Sequence, residues 1–286
     1  MTAIVTIGTV TMDGTYRRDD DVYQVGPKFF SDWYSMPDSK SDINERPVGH
    51  GAFGAAEEWR SSLVLQMDGW CRGASWLSMM GALKSSVSTG PMVTVSVTDD
   101  EGTTSRSVSV RRFVPVPNPG ARVCDFTILM VARDPLRYGP AVTVSTGLPT
   151  SGGGIAYPIT YPIGYGTPGY PGQIAVSNPG TADTYSLLEV TGGLAGGFEL
   201  TEVTTGQVIR FERPIPAGST VYLNPRTGRA SIDGQSDVSG YLTRSEWWSV
   251  PAASGGIPGS REIQFNSLGA VTGTPTLTSR TSPAFW

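Results

Sequence analysis

The chain has 286 residues, of which 16% are charged, and its formal net charge of -4 leaves neither half basic. This removes the electrostatic footprint of a nucleic-acid-binding domain, while the length leaves room for two domains with cores of their own. Two cysteines and a single histidine, His50, exclude a disulfide framework and zinc-type ligand spacing.

The first half reads mostly as strands. Residues 3–12 are rich in β-formers, and Leu63, Leu65 and Met67 alternate before Gly69. Val93, Val95 and Val97 run into Asp99-Asp100-Glu101-Gly102, and Val108 and Val110 follow, a hairpin with one apolar face and an acidic tip. A further strand covers Val123 to Ala132, where Cys124 alternates with Phe126, Ile128 and Met130 as a buried thiol. One helix interrupts the series: Trp76, Met80, Leu83 and Val87 fall at helical spacing, and Gly90-Pro91 ends it. MTAIVTIGTV lacks the basic region of a secretory signal, and no apolar run is long enough to span a bilayer. A soluble protein made in a reducing cytoplasm, with no membrane insertion, is expected.

Asp19 to Gly54 is irregular and carries Phe29, Phe30, Trp33 and Tyr34 among many Asp, Ser and Pro residues, followed by PVGHGAFG. A long loop inside a compact domain is commonly contact-forming. These four aromatics therefore form a candidate contact loop, either anchoring a surface loop or ordering an arm against a neighbouring subunit.

The Gly/Pro-rich stretch from Gly139 to Gly172 divides the chain. Domains are expected at 1–139 and 173–286, with 140–172 as a linker or extended arm. Within it Ile155, Tyr157, Ile159, Tyr161, Ile163 and Tyr165 alternate strictly, with Pro158 and Pro162 on the opposite face. An ordered, extended contact strip is expected, docked on its own sandwich, on a neighbouring subunit or on a partner protein.

Beyond Gly172 the pattern is purely β. Strands are expected at 173–178, 184–191, 197–204, 207–213, 218–223, 229–232, 241–249, 261–266 and 274–280. Turn signals separate them, and Asp233-Gly234 is the strongest hairpin signal. The fold class is all-β, mainly β with one helix in the N-terminal domain, and a sandwich or closed barrel in the C-terminal one.

Catalysis leaves no trace. His50 sits between two glycines with no nucleophile motif nearby, and no G-x-S-x-G elbow occurs. The acidic runs Asp19-Asp20-Asp21 and Asp99-Asp100-Glu101 lie in loops and read as solvated. Gly164, Gly166 and Gly169 match G-x-G-x-x-G, but Pro168 lies inside the match and no helix can follow to bind phosphate. No enzyme activity, cofactor or metal is expected. Tyr241, Trp247 and Trp248 are candidates for a glycan or partner contact, although adjacent tryptophans on a strand face opposite ways and one belongs in the core.

The second half also shows a specific order of motifs. It carries N-x-G-T-A-x-T from Asn178 through Gly180 to Thr184, then Gly192, Thr205-Gly206 and Ala217-Gly218. GRASIDG from Gly228 to Gly234, Trp247-Trp248 and a closing Phe285-Trp286 complete it. This order resembles the C-terminal domain of siphovirus distal tail proteins. DPLRY at Asp134 to Tyr138 and GHG at Gly49 to Gly51 resemble the same family in the first half, so the resemblance covers most of the chain. It implies an N-terminal ring-forming belt domain and a C-terminal galectin-like β-sandwich. It further implies a structural virion protein at the distal end of the tail, assembled in the host cytoplasm. The implied assembly is a homo-hexameric ring that joins the tail tube protein to the tail-associated hub protein and other minor tail proteins, with DNA passing only as cargo through a central channel. The acidic tip at Asp99, Asp100 and Glu101 would face that channel. The alternative is a carbohydrate-binding module that contacts host cell-wall glycans through the sandwich.

Overall fold

The computed structural model describes residues 3–16, 21–40, 44–53, 59–88, 90–153 and 168–286. The chain forms two compact units, Met1–Gly139 with Phe285–Trp286, and Pro140–Ala284. The first contains β1 (Ile4–Ile7), β2 (Val10–Asp13), β3 (Val22–Val25), α1 (Pro27–Trp33), β4 (Asn44–Glu45) and β5 (Ala52–Phe53). It continues with β6 (Leu63–Arg72), α2 (Trp76–Val87), β7 (Val93–Asp99), β8 (Gly102–Asn118), β9 (Val123–Ala132) and β10 (Arg137–Tyr138).

Seven of these strands close into a barrel in the order β8-β7-β1-β2-β3-β6-β9, with β9 returning to β8. Closure depends on β8, which pairs with β7 through Val108 and with β9 from Ser109 onward. A bulge between Val110 and Arg112 separates the two partners, and an extra residue at such a point bends a strand and raises its twist. Alternation then sorts the side chains. Leu63, Leu65, Met67 and Cys71 point inward from β6, as do Cys124, Phe126, Ile128 and Met130 from β9. The expected helix is α2, which lays Met79, Met80, Leu83 and Val87 on the barrel core, while Trp76 is only partly buried. Cys71 and Cys124 face each other across β6 and β9 as free, buried thiols. Burial pushes the Cys71 thiol up to about 11, which makes it a poor nucleophile.

The second unit contains β11 (Val142–Gly147), β12 (Gln173–Asn178), β13 (Leu187–Thr191), β14 (Phe198–Glu202), β15 (Val208–Phe211) and β16 (Thr220–Asn224). After these come β17 (Arg229–Ile232), β18 (Ser236–Asp237), a 3-10 turn at Ser239–Tyr241, β19 (Leu242–Ser245), β20 (Gly259–Ser267) and β21 (Thr276–Thr281). They form a six-stranded sheet, β11-β21-β13-β16-β17-β18, and a five-stranded sheet, β12-β20-β14-β15-β19. Phe198, Leu200, Phe211 and Phe265 from one sheet and Leu188, Val190, Val221 and Leu277 from the other share a single buried core. This is the expected sandwich, with every expected strand present. At the expected Asp-Gly hairpin, Asp233 and Gly234 both adopt positive φ, 50° and 68°, as a tight hairpin turn demands.

Two assignments change. Val142–Gly147, placed in the linker by composition, is an edge strand of the sandwich paired along its whole length with β21. An edge strand needs one partner only, so the flanking Pro140 and Pro149 are tolerated. At the other end, β22 (Ala284–Phe285) joins the margin of the barrel sheet beside β10, and Phe285–Trp286 cluster with the first unit.

The buried carboxylate of Glu202 shows how the Thr-Gly turns are held. Its Oε2 accepts hydrogen bonds from the Thr205 amide and hydroxyl, both at 2.5 Å, with Arg261 Nη1 3.9 Å away. Burial acts to raise its pKa, but these hydrogen bonds outweigh burial and hold it below the ordinary value. A lowered folded-state pKa contributes stability that is fully present above the ordinary carboxylate range and is lost as pH falls through the lowered value. Glu202→Gln is therefore expected to cost about 1.5–3 kcal/mol near neutrality. In thermal melts against pH, the gap to the wild type should narrow below about pH 4.

Candidate assembly surfaces

The aromatic segment does not form a loop. Pro27 starts α1, where its missing N–H costs nothing, and the seven-residue helix places Phe29 and Trp33 one turn apart on one face. Both are fully buried in the barrel core, with ring centroids 5.7 Å apart. Three hydrogen bonds fasten the helix and its N-cap to β6: the Gly26 amide donates to the Asp68 carbonyl at 2.7 Å, the Gln66 amide to Asp32 Oδ2 at 3.0 Å, and Lys28 Nζ to Gln66 Oε1 at 2.8 Å. Phe30 packs partly buried against the same core. Phe29 and Trp33 are thus withdrawn from any contact surface, because so short a helix is stable only through such burial.

Beneath Trp33 lies Arg106, 1% exposed, with its guanidinium 4.9 Å from the ring centroid. It donates from Nε to the Pro135 carbonyl at 3.0 Å and from Nη1 to the Trp33 carbonyl. Burial, then neighbouring Arg137, pushes its pKa down to about 9, so it remains a cation at neutral pH. Tyr34 marks the rim. Its hydroxyl donates to Asp99 Oδ2 at 2.5 Å and its ring lies 4.9 Å from the Arg137 guanidinium.

These bonds revise the acidic tip. Asp99 Oδ1 accepts from the amides of Glu101 and Gly102 at 2.9 and 3.1 Å, so Asp99 builds the turn and anchors Tyr34. Of the three acids, Asp100 and Glu101 are exposed and Asp99 is partly buried. DPLRY likewise has a structural task. Asp134 accepts from the Leu136 amide and the Tyr138 hydroxyl, while Arg137 donates to the Trp286 carbonyl at 2.5 Å and lies 6.0 Å from the Phe285 ring.

The solvent-facing apolar surface of the first unit sits elsewhere. β4 and β5 form a separate two-stranded hairpin with Gly49 and Gly51, both at positive φ, in its tip. Val48 is 89% exposed, Phe53 60% and Trp59 just beyond it 69%. A two-stranded hairpin is marginal in water on its own, and large apolar side chains clustered on it mark an interaction site. Of the aromatics in this stretch, Phe29 and Trp33 are buried, whereas Phe53 and Trp59 are exposed. His50 lies exposed in the tip, and no cluster of metal-binding side chains occurs among the described residues.

Ile155, Tyr157, Ile159, Tyr161, Ile163 and Tyr165 lie outside the described residues. Their flanks are described. Thr150 and Tyr170 exchange backbone hydrogen bonds at 2.9 and 3.1 Å, and a Cβ on Gly169 would sit 2.7 Å from the Thr150 carbonyl oxygen. The two described flanks, ending at Gly153 and beginning at Pro168, are thus held side by side.

In the sandwich, Trp248 is core and Trp247 packs partly buried against it. Tyr241 is 45% exposed, with Arg213 4.7 Å from its ring centroid and Phe211 at its edge. Both tryptophans therefore lie against the sandwich core, Trp248 within it and Trp247 at its margin, and the three residues do not make an open aromatic platform.

The N-x-G-T motif explains itself in this unit. Asn178 is fully buried and donates from Nδ2 to the carbonyls of Ala182, Pro251 and Val250 at 2.8, 3.0 and 3.4 Å. Its Oδ1 accepts from the amides of Gly180 and Ala284 at 3.0 and 3.4 Å. A Cβ on Gly180 would fall 1.9 Å from the Ala284 carbonyl oxygen, so only glycine permits that approach.

With both units described, comparison with solved structures becomes informative. SPP1 Dit, described as a paradigm of the hub adsorption apparatus in phages infecting Gram-positive hosts, superposes with a TM-score of 0.64 at 12% identity. The match covers 99% of each chain. The chain has the Dit fold. A chain of the phage P2 baseplate in its activated conformation with Ca matches at a TM-score of 0.51 and 9% identity, over 98% of this chain and 97% of that one. No family model and no curated relative matches the sequence. The Dit fold here is thus recognised through three-dimensional structure across the barrel and the sandwich together.

Proposed function

We propose that this protein is a structural component of a siphophage tail tip, assembling as a homo-hexameric ring that joins the tail tube to the hub and leaves a channel for DNA. The observation that carries this reading is the match of the entire chain, barrel and sandwich together, to Dit. Fold likeness alone is a weak guide to function, but two surface features support assembly. The hairpin bearing Val48 and Phe53, together with Trp59 later in the chain, exposes apolar side chains that contact between identical copies would cover. The exposed Asp100 and Glu101 at the β7–β8 turn would line the channel, where negative charge keeps DNA from adhering. The role is structural rather than catalytic, and the protein is built into the distal end of the virion after synthesis in the host cytoplasm. The remaining partners are the tail tube protein, the hub and other minor tail proteins.

Electron cryomicroscopy of purified virions tests this directly. Density for the barrel and sandwich should appear as six copies around the tail axis at the distal end. Its absence from the tail tip, or a position on the capsid, would overturn the reading.

A further inference from the structure

The sandwich carries a groove on the outer face of its six-stranded sheet. Along β13, β16 and β17, Leu188, Val190, Val221, Leu223 and Ala230 face the core, so by alternation Leu187, Tyr222, Asn224, Arg229 and Ser231 face out. The groove has a volume of about 400 Å³, lined by the Tyr222 ring together with Asn224, Arg229, Ser231, Gln235 and Asp237. That size lies in the roughly 300–1,000 Å³ range of small-molecule sites.

We propose that this groove binds a neutral saccharide, with Tyr222 as the platform and the surrounding polar side chains as partners for its hydroxyls. A sugar ring has a face of C–H groups that suits the negative face of an aromatic ring. Its hydroxyls each donate and accept, so a site for them needs donors and acceptors side by side. The groove supplies both. Arg229 and Asp237 lie 3.6 Å apart as an ion pair, and Asp237 is held ionised by hydrogen bonds from Ser239, then by Arg229. Asn224 is fixed in place because its Oδ1 accepts from the Arg226 amide at 3.1 Å. Side chains carried on paired strands hold their geometry better than those on free loops. The offsetting charges of Arg229 and Asp237 favour a neutral ligand over a phosphate. The proposal is independent of ring assembly, and it differs from the set at Tyr241, Trp247 and Trp248, where both tryptophans pack on the core.

Saturation-transfer NMR on the full chain tests it, with glucose, galactose, N-acetylglucosamine and N-acetylgalactosamine as probes and glycerol phosphate as the anionic comparison, each at about 10 mM to detect weak binding. At least one neutral sugar should receive saturation on its ring protons while glycerol phosphate stays silent. Tyr222→Ala should abolish the signal, and Asp237→Asn, at an exposed position that leaves the fold intact, should weaken binding roughly tenfold. Silence of all four sugars would overturn the proposal. So would an unchanged signal in Asp237→Asn, or binding of glycerol phosphate in preference to the sugars.

Discussion

Truncating Trp33 to alanine is expected to lower the stability of the barrel unit by about 3–5 kcal/mol, the cost of emptying a large aromatic site in a packed core. Trp33 is completely buried, lies tilted against Phe29, and covers the Arg106 guanidinium. Removing the indole would open a cavity and expose one face of a buried cation to it, whereas a whole domain has only about 5–15 kcal/mol in hand. α1 would lose its anchor, since a helix of seven residues does not persist without packing. Trp33→Phe should be much milder. It keeps a ring against Phe29 and Arg106, and it removes the indole N–H, which has no hydrogen-bond partner among the described residues. Urea unfolding of the two variants measures the difference. Equal losses would mean that neither the filled volume nor a ring face over Arg106 governs the site, and that the indole itself is required.

The second large effect is expected at Asn178. Its side chain joins five backbone groups belonging to the chain around Gly180–Ala182, Val250–Pro251 and Ala284. Asn178→Ala would leave buried carbonyls and amides without partners, each worth about 1–3 kcal/mol. Because the bonds share one side chain the losses are not additive, and a total of about 3–5 kcal/mol is expected. Asn178→Asp should be comparably severe, since it keeps the acceptor but replaces the donor that serves three carbonyls. Thermal unfolding of the sandwich reports both, and a shift of only a degree or two in either would refute the assignment. An equivalent test exists at Gly180, where any Cβ collides with backbone and not with a side chain that could move aside.

These two sites show different degrees of legibility. Asn178 and Gly180 stood out in the sequence as part of a recurrent motif, but their work, tying together segments up to 106 positions apart, is visible only once those segments meet. Trp33 was legible as an aromatic in an irregular stretch, and that context pointed to a contact loop. Nothing within residues 19–54 specifies that the barrel core lies waiting for Phe29 and Trp33, while Val48, Phe53 and Trp59 stay outside it. The same limit applies to Asp99, which reads as a solvated acid until Tyr34, 65 residues earlier, donates to it.

Strand content, the helix at Trp76–Val87 and the turns were legible along the chain, because alternation, helical spacing and turn chemistry are properties of neighbours in sequence. So was the motif order that resembles distal tail proteins, in keeping with a Dit fold spanning the whole chain. That Val142–Gly147 is a sandwich strand, that Phe285–Trp286 belong with the barrel, and that the outward-facing groove at Tyr222 exists emerge only once the chain is folded. Each of these depends on residues far apart in sequence competing for burial, and no local pattern records which of them wins.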